Sequence, residues 1–178
     1  DQFTTIFYDQ RACGRSEGRI DLGTMKLAIL VQDLESLRIS FSIDRLDLVA
    51  HDFGAIIALS YAITYPEHAG AIFLISPKGL NDRYETEYQE AIDLALPEET
   101  LHTIRDALGE IMSSSLDTVD ILMTKVIFLR AIADFYNPAF LSDFQLHEYS
   151  NLAAAGFSYS VDYQKLKKNI PNITSPIS

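Results

Sequence analysis

The sequence predicts an α/β fold in which parallel strands are joined by helices, and three patterns predict it. Short apolar segments alternate with helix-period segments over residues 3–77, as in strands linked by helical crossovers. Residues 44–65 pass from an apolar strand pattern to an apolar helix pattern through a short corner. Residues 80–168 contain long helix-period segments without a convincing strand, which indicates a helical insertion over one end of the sheet.

The elements before the corner follow from residue type and spacing. Residues 3–9 are β-branched and aromatic and predict a buried strand. A loop that contains two glycines comes next. Thr24 predicts the N-cap of a helix over residues 25–40, whose apolar side chains recur at three- and four-residue steps and form one buried stripe.

The corner and the segments after it complete the predicted core. Residues 45–50 predict a strand, and residues 54–65 predict a helix that ends at Pro66. Residues 71–76 predict a further apolar strand. The helix-period segments beyond it are 84–95, 99–113 and 117–134.

The predicted domain organisation has three parts. Residues 1–79 form a core segment that contains the corner, residues 80–168 form a helical cap, and residues 169–178 begin the next core strand. The first and last residues fall inside strand patterns, so we expect the chain to be part of a larger domain. Its strand edges would then be unpaired, and unpaired edges favour self-association.

The composition restricts the classes of function. With 178 residues, of which 48% are hydrophobic, the chain can bury one core. A formal net charge of −11 disfavours nucleic acid and anionic membranes as partners, because both attract basic surfaces. A small-molecule substrate is the expected partner. The sequence has no metal-ligand spacing and no phosphate loop, so we expect no metal and no cofactor.

The compartment is predicted from cysteine content and from the absence of membrane signals. Cys13 is the single cysteine, so no intrachain disulfide can form. No apolar run reaches transmembrane length, and no charged-then-apolar leader opens the chain. We therefore expect a cytoplasmic location.

The corner at residues 51–54, His-Asp-Phe-Gly, has the pattern of a nucleophile elbow. In such an elbow a sharp strand-to-helix turn exposes the side chain at its tip, here Asp52. Ala50 and Gly54 are small, as the close approach of strand and helix requires. An aspartate is ionised at neutral pH and needs no base to attack. The sequence therefore predicts that Asp52 is a nucleophile that forms an ester with its substrate.

Backbone groups at the same corner are suited to stabilising negative charge. The N–H of Phe53 follows the nucleophile directly and is the predicted donor to an oxyanion. The helix that begins beside it contributes the positive end of its dipole. Asp52 and Phe53 together are the predicted site.

Several motifs resemble the α/β-hydrolase superfamily. Residues 9–16 (DQRACGRS) resemble the DQRGxGxS loop of its proline-iminopeptidase branch. Residues 33–38 (DLESLR), the elbow, and residues 65–68 (YPEH) follow in the order expected for that branch. The resemblance covers residues 3–77 and implies a partial α/β-hydrolase core, a cap at residues 80–168, and hydrolase activity in the full-length protein.

The nucleophile position resembles a different branch. Proline iminopeptidases carry serine at the tip, whereas the His-Asp-Phe sequence around Asp52 resembles the elbows of epoxide hydrolases and haloalkane dehalogenases. Dehalogenases commonly hold the halide with a tryptophan beside the nucleophile, and Phe53 occupies that place. The resemblance therefore implies an epoxide-hydrolase-like enzyme that acts on a small, largely apolar electrophile.

Two alternatives stay open from the sequence. One is a proline-iminopeptidase- or esterase-like relative in which Asp52 silences a serine site. The other is a non-catalytic α/β-hydrolase fragment, since the family's acid and histidine follow the cap and residues 169–178 contain neither. The chain's own histidines are interpreted as surface or capping residues: His51, His68, His102 and His147.

Tyrosines in the cap are candidate proton donors to an opening epoxide, because a phenol can act as a general acid. Tyrosine is also an ordinary, partly buried packing residue, so the pattern alone assigns no role. The six candidates are Tyr84, Tyr88, Tyr136, Tyr149, Tyr159 and Tyr163.

Overall fold

The computed structural model describes residues 3–18, 23–80, 82–134 and 160–178. The chain divides into two compact units, each treated by itself. We call them the core unit, residues 18–81 and 153–178, and the helical unit, residues 1–17 and 82–152.

The secondary structure alternates in the first half of the chain and is helical afterwards. The elements in chain order are α1 (Leu27–Ser40), β1 (Leu46–Asp52), α2 (Phe53–Thr64), β2 (Ala69–Pro77), α3 (Asp82–Ala95), α4 (Glu98–Ile111), α5 (Leu116–Asp134) and α6 (Tyr163–Asn169). A short 3-10 turn at Ile170–Asn172 follows α6.

The sheet of the core unit is built on two parallel strands. β1 pairs with β2, with Leu48 opposite Ile72 and Ala50 opposite Leu74, and α2 connects the two strands. The last residues lie along β2 on the side away from β1, where Ile177 forms a parallel bridge with Ile72. The N–H of Ile72 donates to the carbonyl of Pro176 at 2.8 Å.

Helix α2 is the most buried element of the core unit. Apolar residues occupy almost every position of this helix, a pattern that requires burial on all sides. Ala55, Ile56 and Tyr61 have no exposed surface. Pro66 has no N–H to continue the helical ladder, so the helix ends at Thr64.

The helical unit has its own apolar core. In α4, Leu101, Ile104 and Ala107 recur at three-residue steps and form a buried stripe. Glu98 and Glu99 occupy the first turn of α4, where negative charge interacts favourably with the helix dipole. The full cluster consists of Ile92, Leu96, Leu101, Ile104, Ala107 and Val126. None of the helices described is both long enough and apolar enough to cross a membrane.

The structure confirms the α/β class with parallel strands and corrects two local predictions. Residues 3–10 are irregular, so the strand predicted at residues 3–9 is wrong. A strand requires a hydrogen-bonded neighbour, and the described residues supply none there; Phe3 and Phe7 are 78% and 92% exposed. Helix α1 begins at Leu27, later than the Thr24 cap predicted. The three-part domain boundaries at residues 79 and 168 stay a prediction.

Candidate active site

The corner between β1 and α2 has the geometry of a nucleophile elbow. Asp52 is the last residue of β1, and Phe53 is the first residue of α2. The backbone of Asp52 has φ 49° and ψ −118°. A non-glycine residue rarely adopts this conformation, because its Cβ crowds the backbone. The chain therefore reverses direction at a single strained residue.

Ordered structure on both sides of Asp52 holds its backbone in the strained conformation. The strand before it is paired with β2, and the helix after it is buried. The N–H of Lys78 donates to the carbonyl of Asp52 at 3.1 Å, which fixes the peptide that follows the strained residue. Strain of this kind costs about 1–3 kcal/mol and persists only where the surroundings determine the backbone.

The Asp52 side chain is exposed and does not cap the helix that it precedes. His51 and Asp52 are both exposed, while Phe53 is half-buried and packs against the cluster around Ile56 and Leu59. The Asp52 side chain accepts no capping hydrogen bond from α2. The first N–H groups of α2, beginning with Phe53, have no acceptor within the helix and are available to a ligand at the corner.

Position 54, beside Asp52, has more room for a side chain than the sequence pattern predicts. Ala50 is buried at 8% exposure. A Cβ added at Gly54 would lie 3.7 Å from the Ala50 Cβ, which is an ordinary contact. The approach of strand and helix at position 54 therefore leaves room for a methyl group.

A second residue at this edge was not singled out by the sequence. Ser76, near the end of β2, has φ 41° and is exposed. Asp52 is opposite Pro77 in the register, so Ser76 lies next to the elbow. The only sequence signal is the following proline, which disfavours the helical conformation at position 76 but does not indicate a positive φ.

The opposite end of β1 carries a polar cluster of two buried and two half-buried residues. We call it the Glu35 cluster, and its members are the buried Glu35 and Tyr61 and the half-buried Arg38 and His68. Two guanidinium nitrogens of Arg38 donate to the Glu35 carboxylate at 2.8 and 2.9 Å. The Tyr61 hydroxyl donates to the same carboxylate at 2.7 Å. His68 Nε2 lies 4.0 Å from Glu35.

The electrostatics of the Glu35 cluster follow from these contacts. The hydrogen bonds from Arg38 lower the pKa of Glu35 to about 2, against the opposite effect of burial and with a further contribution from the Tyr61 hydroxyl. Burial and the neighbouring Glu35 carboxylate raise the pKa of Tyr61. Arg38 also donates to the carbonyl of Ile43, just before β1. The cluster therefore ties α1, α2 and the start of β1 together.

Three of the four histidines are described, and each lies on the surface or in the Glu35 cluster. His51 precedes Asp52 on β1 and is exposed. His68 belongs to the Glu35 cluster, and its Nδ1 lies 3.2 Å from the carbonyl of Asp44. His102 pairs with Asp106 at 3.0 Å on the exposed surface of α4. His147 is outside the described residues.

Three of the six candidate tyrosines are described. Tyr84 and Tyr88 are exposed on α3 in the helical unit, and Tyr163 packs in the core unit against the cluster that contains Ile56. Tyr136, Tyr149 and Tyr159 lie outside the described residues. Within the described part of the chain, no group of three or more potential metal ligands comes together.

Comparison with known sequences identifies the family. The sequence profile of the α/β hydrolase fold matches residues 1–119. The chain belongs to the α/β-hydrolase fold family. This finding confirms the superfamily resemblance seen in the sequence motifs, and it agrees with the parallel β1–α2–β2 unit and its elbow.

Several curated relatives are proline iminopeptidases. The chain is 33% identical over 100 residues to a proline iminopeptidase of Xylella fastidiosa, a match that covers 55% of this chain and 32% of that protein. It is 38% identical over 74 residues to a putative proline iminopeptidase of Mycoplasma pneumoniae, covering 42% of this chain and 24% of that protein. The match therefore spans at most about a third of either relative.

One solved structure supports the fold. A hydrolase from Oleispira antarctica superposes with a TM-score of 0.52 at 18% identity, covering 99% of this chain and 62% of that one. Epoxide hydrolase A from Mycobacterium thermoresistibile is 24% identical, with a TM-score of 0.38 and coverage of 47% of this chain and 27% of that one. At this level of similarity, the first comparison supports the fold alone.

Proposed function

We propose that the protein is a hydrolase whose Asp52 attacks a small, largely apolar electrophile of the epoxide class. The observation that carries the proposal is a carboxylate at the exposed, strained tip of the elbow, with φ 49° and ψ −118°. A carboxylate there is a nucleophile without prior deprotonation. The unpaired N–H groups at the start of α2 favour negative charge beside it.

The proposed first half-reaction is a ring opening. An Asp52 carboxylate oxygen forms a bond to one epoxide carbon, and the bond between that carbon and the ring oxygen breaks. The ring oxygen keeps the electron pair and takes a proton from solvent or from an acidic side chain. The product is a hydroxyalkyl ester of Asp52, and attack by water on the ester carbonyl then releases a diol and regenerates the carboxylate.

The choice of an epoxide over a peptide or ester follows from the chemistry of a carboxylate nucleophile. Attack on an acyl carbon would give a mixed anhydride, which is more reactive than the ester or amide from which it formed. Attack on a strained ring carbon gives an ordinary ester and releases the ring strain. Phe53 offers an apolar ring and no side-chain N–H to a leaving halide, which makes a haloalkane a poorer candidate.

A second candidate is a proline-iminopeptidase- or esterase-like lineage in which Asp52 has replaced the serine nucleophile. The curated relatives favour it, because they are named proline iminopeptidases. In this hypothesis the elbow keeps its shape while the carboxylate has no reaction to perform. A non-catalytic binding domain would share that behaviour.

The test is covalent trapping of Asp52. The protein is incubated with styrene oxide, and the expected result is a mass increase of one epoxide, localised by peptide fragmentation. Trypsin releases residues 46–78 as one peptide, which contains Asp47 and Glu67 as internal control carboxylates beside Asp52. Label on Asp52 alone supports the nucleophile; label spread over all three carboxylates shows nonspecific alkylation and contradicts it.

Two variants separate the candidates. Asp52→Asn keeps the size of the side chain, removes the charge, and should abolish the label. Asp52→Ser restores the serine of the proline-iminopeptidase branch. Hydrolysis of a proline arylamide or an aryl ester by Asp52→Ser, together with an unlabelled wild type, would favour the silenced lineage.

Self-association through a strand edge is a further proposal about partners. Among the described residues β1 pairs with β2 alone, and one face of the pair exposes Val49, Phe73 and Ile75 at 72%, 48% and 52%. An unpaired apolar edge favours pairing with another chain. Light scattering on the purified protein should show a dimer or larger species, and a monodisperse monomer would contradict the proposal.

A further inference from the structure

Two non-glycine residues with positive φ lie at neighbouring strand ends. Asp52 has φ 49° at the end of β1, and Ser76 has φ 41° near the end of β2. The carboxyl edge of a parallel sheet is where ligands bind in α/β proteins. An unusual backbone conformation at such an edge is a reason to look for a function.

The register places the two residues side by side. His51 is opposite Ile75, and Asp52 is opposite Pro77, so Ser76 is the extra residue in an irregularity of β2. Neighbouring strands lie about 4.8 Å apart. The hydrogen bond from the Lys78 N–H to the Asp52 carbonyl joins the two strand ends just after Ser76.

The conformation of Ser76 is not explained by its own packing. Ser76 is exposed, and its hydroxyl has no hydrogen-bond partner among the residues that the structure describes. Ser42 provides a comparison, because it is also an exposed serine with positive φ, at 53°. Ser42 lies in the turn that ends α1, where its N–H donates to the carbonyl of Ile39 at 2.9 Å. The positive φ of Ser42 therefore belongs to a turn that ends a helix, whereas that of Ser76 belongs to a strand irregularity that lies directly beside the elbow.

We propose that Ser76 is a second substrate-contacting residue, whose hydroxyl donates a hydrogen bond to the ring oxygen of an epoxide held against Asp52. This inference rests on the function proposed for Asp52. As the carbon–oxygen bond breaks, negative charge grows on the ring oxygen, and a preorganised donor stabilises it. The hydroxyl keeps its own proton, because serine is too weak an acid to give it up.

The experiment compares the rate of Asp52 labelling by styrene oxide in four proteins: wild type, Ser76→Ala, Ser76→Gly and Ser42→Gly. Ser76→Ala removes the hydroxyl at the same backbone conformation. Ser76→Gly also removes the hydroxyl, but it relieves the backbone strain. This variant should therefore fold even if Ser76→Ala does not. Ser42→Gly is the matched control at the opposite end of β1.

The expected result is a loss of labelling rate on the order of 100-fold in both Ser76 variants. Ser42→Gly should label as fast as the wild type. Thermal melts followed by circular dichroism should show all four proteins folded, which separates loss of the hydroxyl from loss of structure.

The outcomes distinguish this inference from the proposal on which it rests. A wild type that neither carries the label nor converts styrene oxide into its diol would overturn both. A labelled wild type with equal rates in Ser76→Ala and Ser76→Gly would overturn the role of Ser76 alone. A slow Ser76→Ala with a Ser76→Gly as fast as the wild type would also overturn it, because the hydroxyl would then be unnecessary.

Discussion

The two ends of strand β1 are built in opposite ways. The carboxyl end has exposed polar residues at strained positions, Asp52 and its neighbour Ser76. The amino end, about 20 Å away by the rise of a strand, has the buried and fully hydrogen-bonded carboxylate of Glu35. Strain and exposure are therefore concentrated at the proposed substrate end of β1, while the contacts of Glu35 hold the other end of the strand in place.

The largest loss of stability is expected from a substitution at the amino end of β2. A Cβ added at Gly70 would lie 2.1 Å from the Asp47 Oδ1 and 2.9 Å from the Leu46 carbonyl. It would also displace the hydrogen bond from the Ala71 N–H to Asp47. Gly70→Ala should therefore lower the free energy of unfolding by about 3 kcal/mol, measured by urea denaturation.

Gly54→Ala is the matched control for that substitution at the carboxyl end. The added methyl group would make an ordinary contact at 3.7 Å with Ala50. Alanine also has the higher helix propensity, so the free energy of unfolding should stay within about 1 kcal/mol of the wild type. Equal losses in Gly54→Ala and Gly70→Ala would contradict the contrast between the two ends.

The pH dependence of the free energy of unfolding should come from Glu35, at the amino end of β1. The pKa of Glu35 is lowered from 4.5 to about 2 in the folded chain by its hydrogen bonds from Arg38 and Tyr61. A lowered folded-state pKa stabilises the fold above the unfolded value and loses that contribution as the pH falls through the folded value. The contribution should therefore be complete above about pH 4.5 and disappear towards pH 2.

The measurement is the melting temperature of wild type and Glu35→Gln between pH 7 and pH 2. The wild type should melt at the higher temperature at pH 7, and the difference should shrink between pH 4.5 and pH 2. A difference that stays constant over this range would show that the charge of Glu35 is not what stabilises the cluster.

A smaller effect is expected from removing one donor to Glu35. Tyr61 is completely buried, and its hydroxyl donates to the Glu35 carboxylate at 2.7 Å. Tyr61→Phe keeps the ring and removes this charge-assisted bond, at a cost of about 2 kcal/mol in the free energy of unfolding. Tyr65→Phe, on the half-buried ring that stacks near Tyr61, is the control and should change stability less.

The sequence predicted the elements with local signals and missed those that depend on neighbours. The alternating apolar segments predicted β1, α2 and β2 within a few residues, and the HDFG corner predicted Asp52 at the tip. The strand predicted at residues 3–9 had the right composition, but a strand forms only with a partner. Ser76 was missed because the proline that follows it disfavours the helical conformation but does not indicate a positive φ.

The Glu35 cluster also depends on contacts between residues that are distant in the sequence. Glu35 and Arg38 are three residues apart, a spacing that predicts an exposed helix pair of small value. Tyr61 is 26 residues away and its approach to Glu35 depends on the packing of α1 against α2. The sequence analysis did not predict this cluster, because the burial of Glu35 and its contact with Tyr61 depend on tertiary packing.

The smallest expected effect concerns the strain at the elbow itself. Glycine adopts φ 49° and ψ −118° without the crowding that a Cβ causes, so Asp52→Gly should raise the free energy of unfolding by about 1 kcal/mol. Asp52→Ala keeps the Cβ and should leave it nearly unchanged, while both variants should lose labelling by styrene oxide. A more stable protein without the Asp52 side chain would mean that the carboxylate is held at the tip at the expense of stability. If Asp52→Gly is less stable than Asp52→Ala, the elbow is not strained, and the contrast between the two ends of β1 rests on exposure alone.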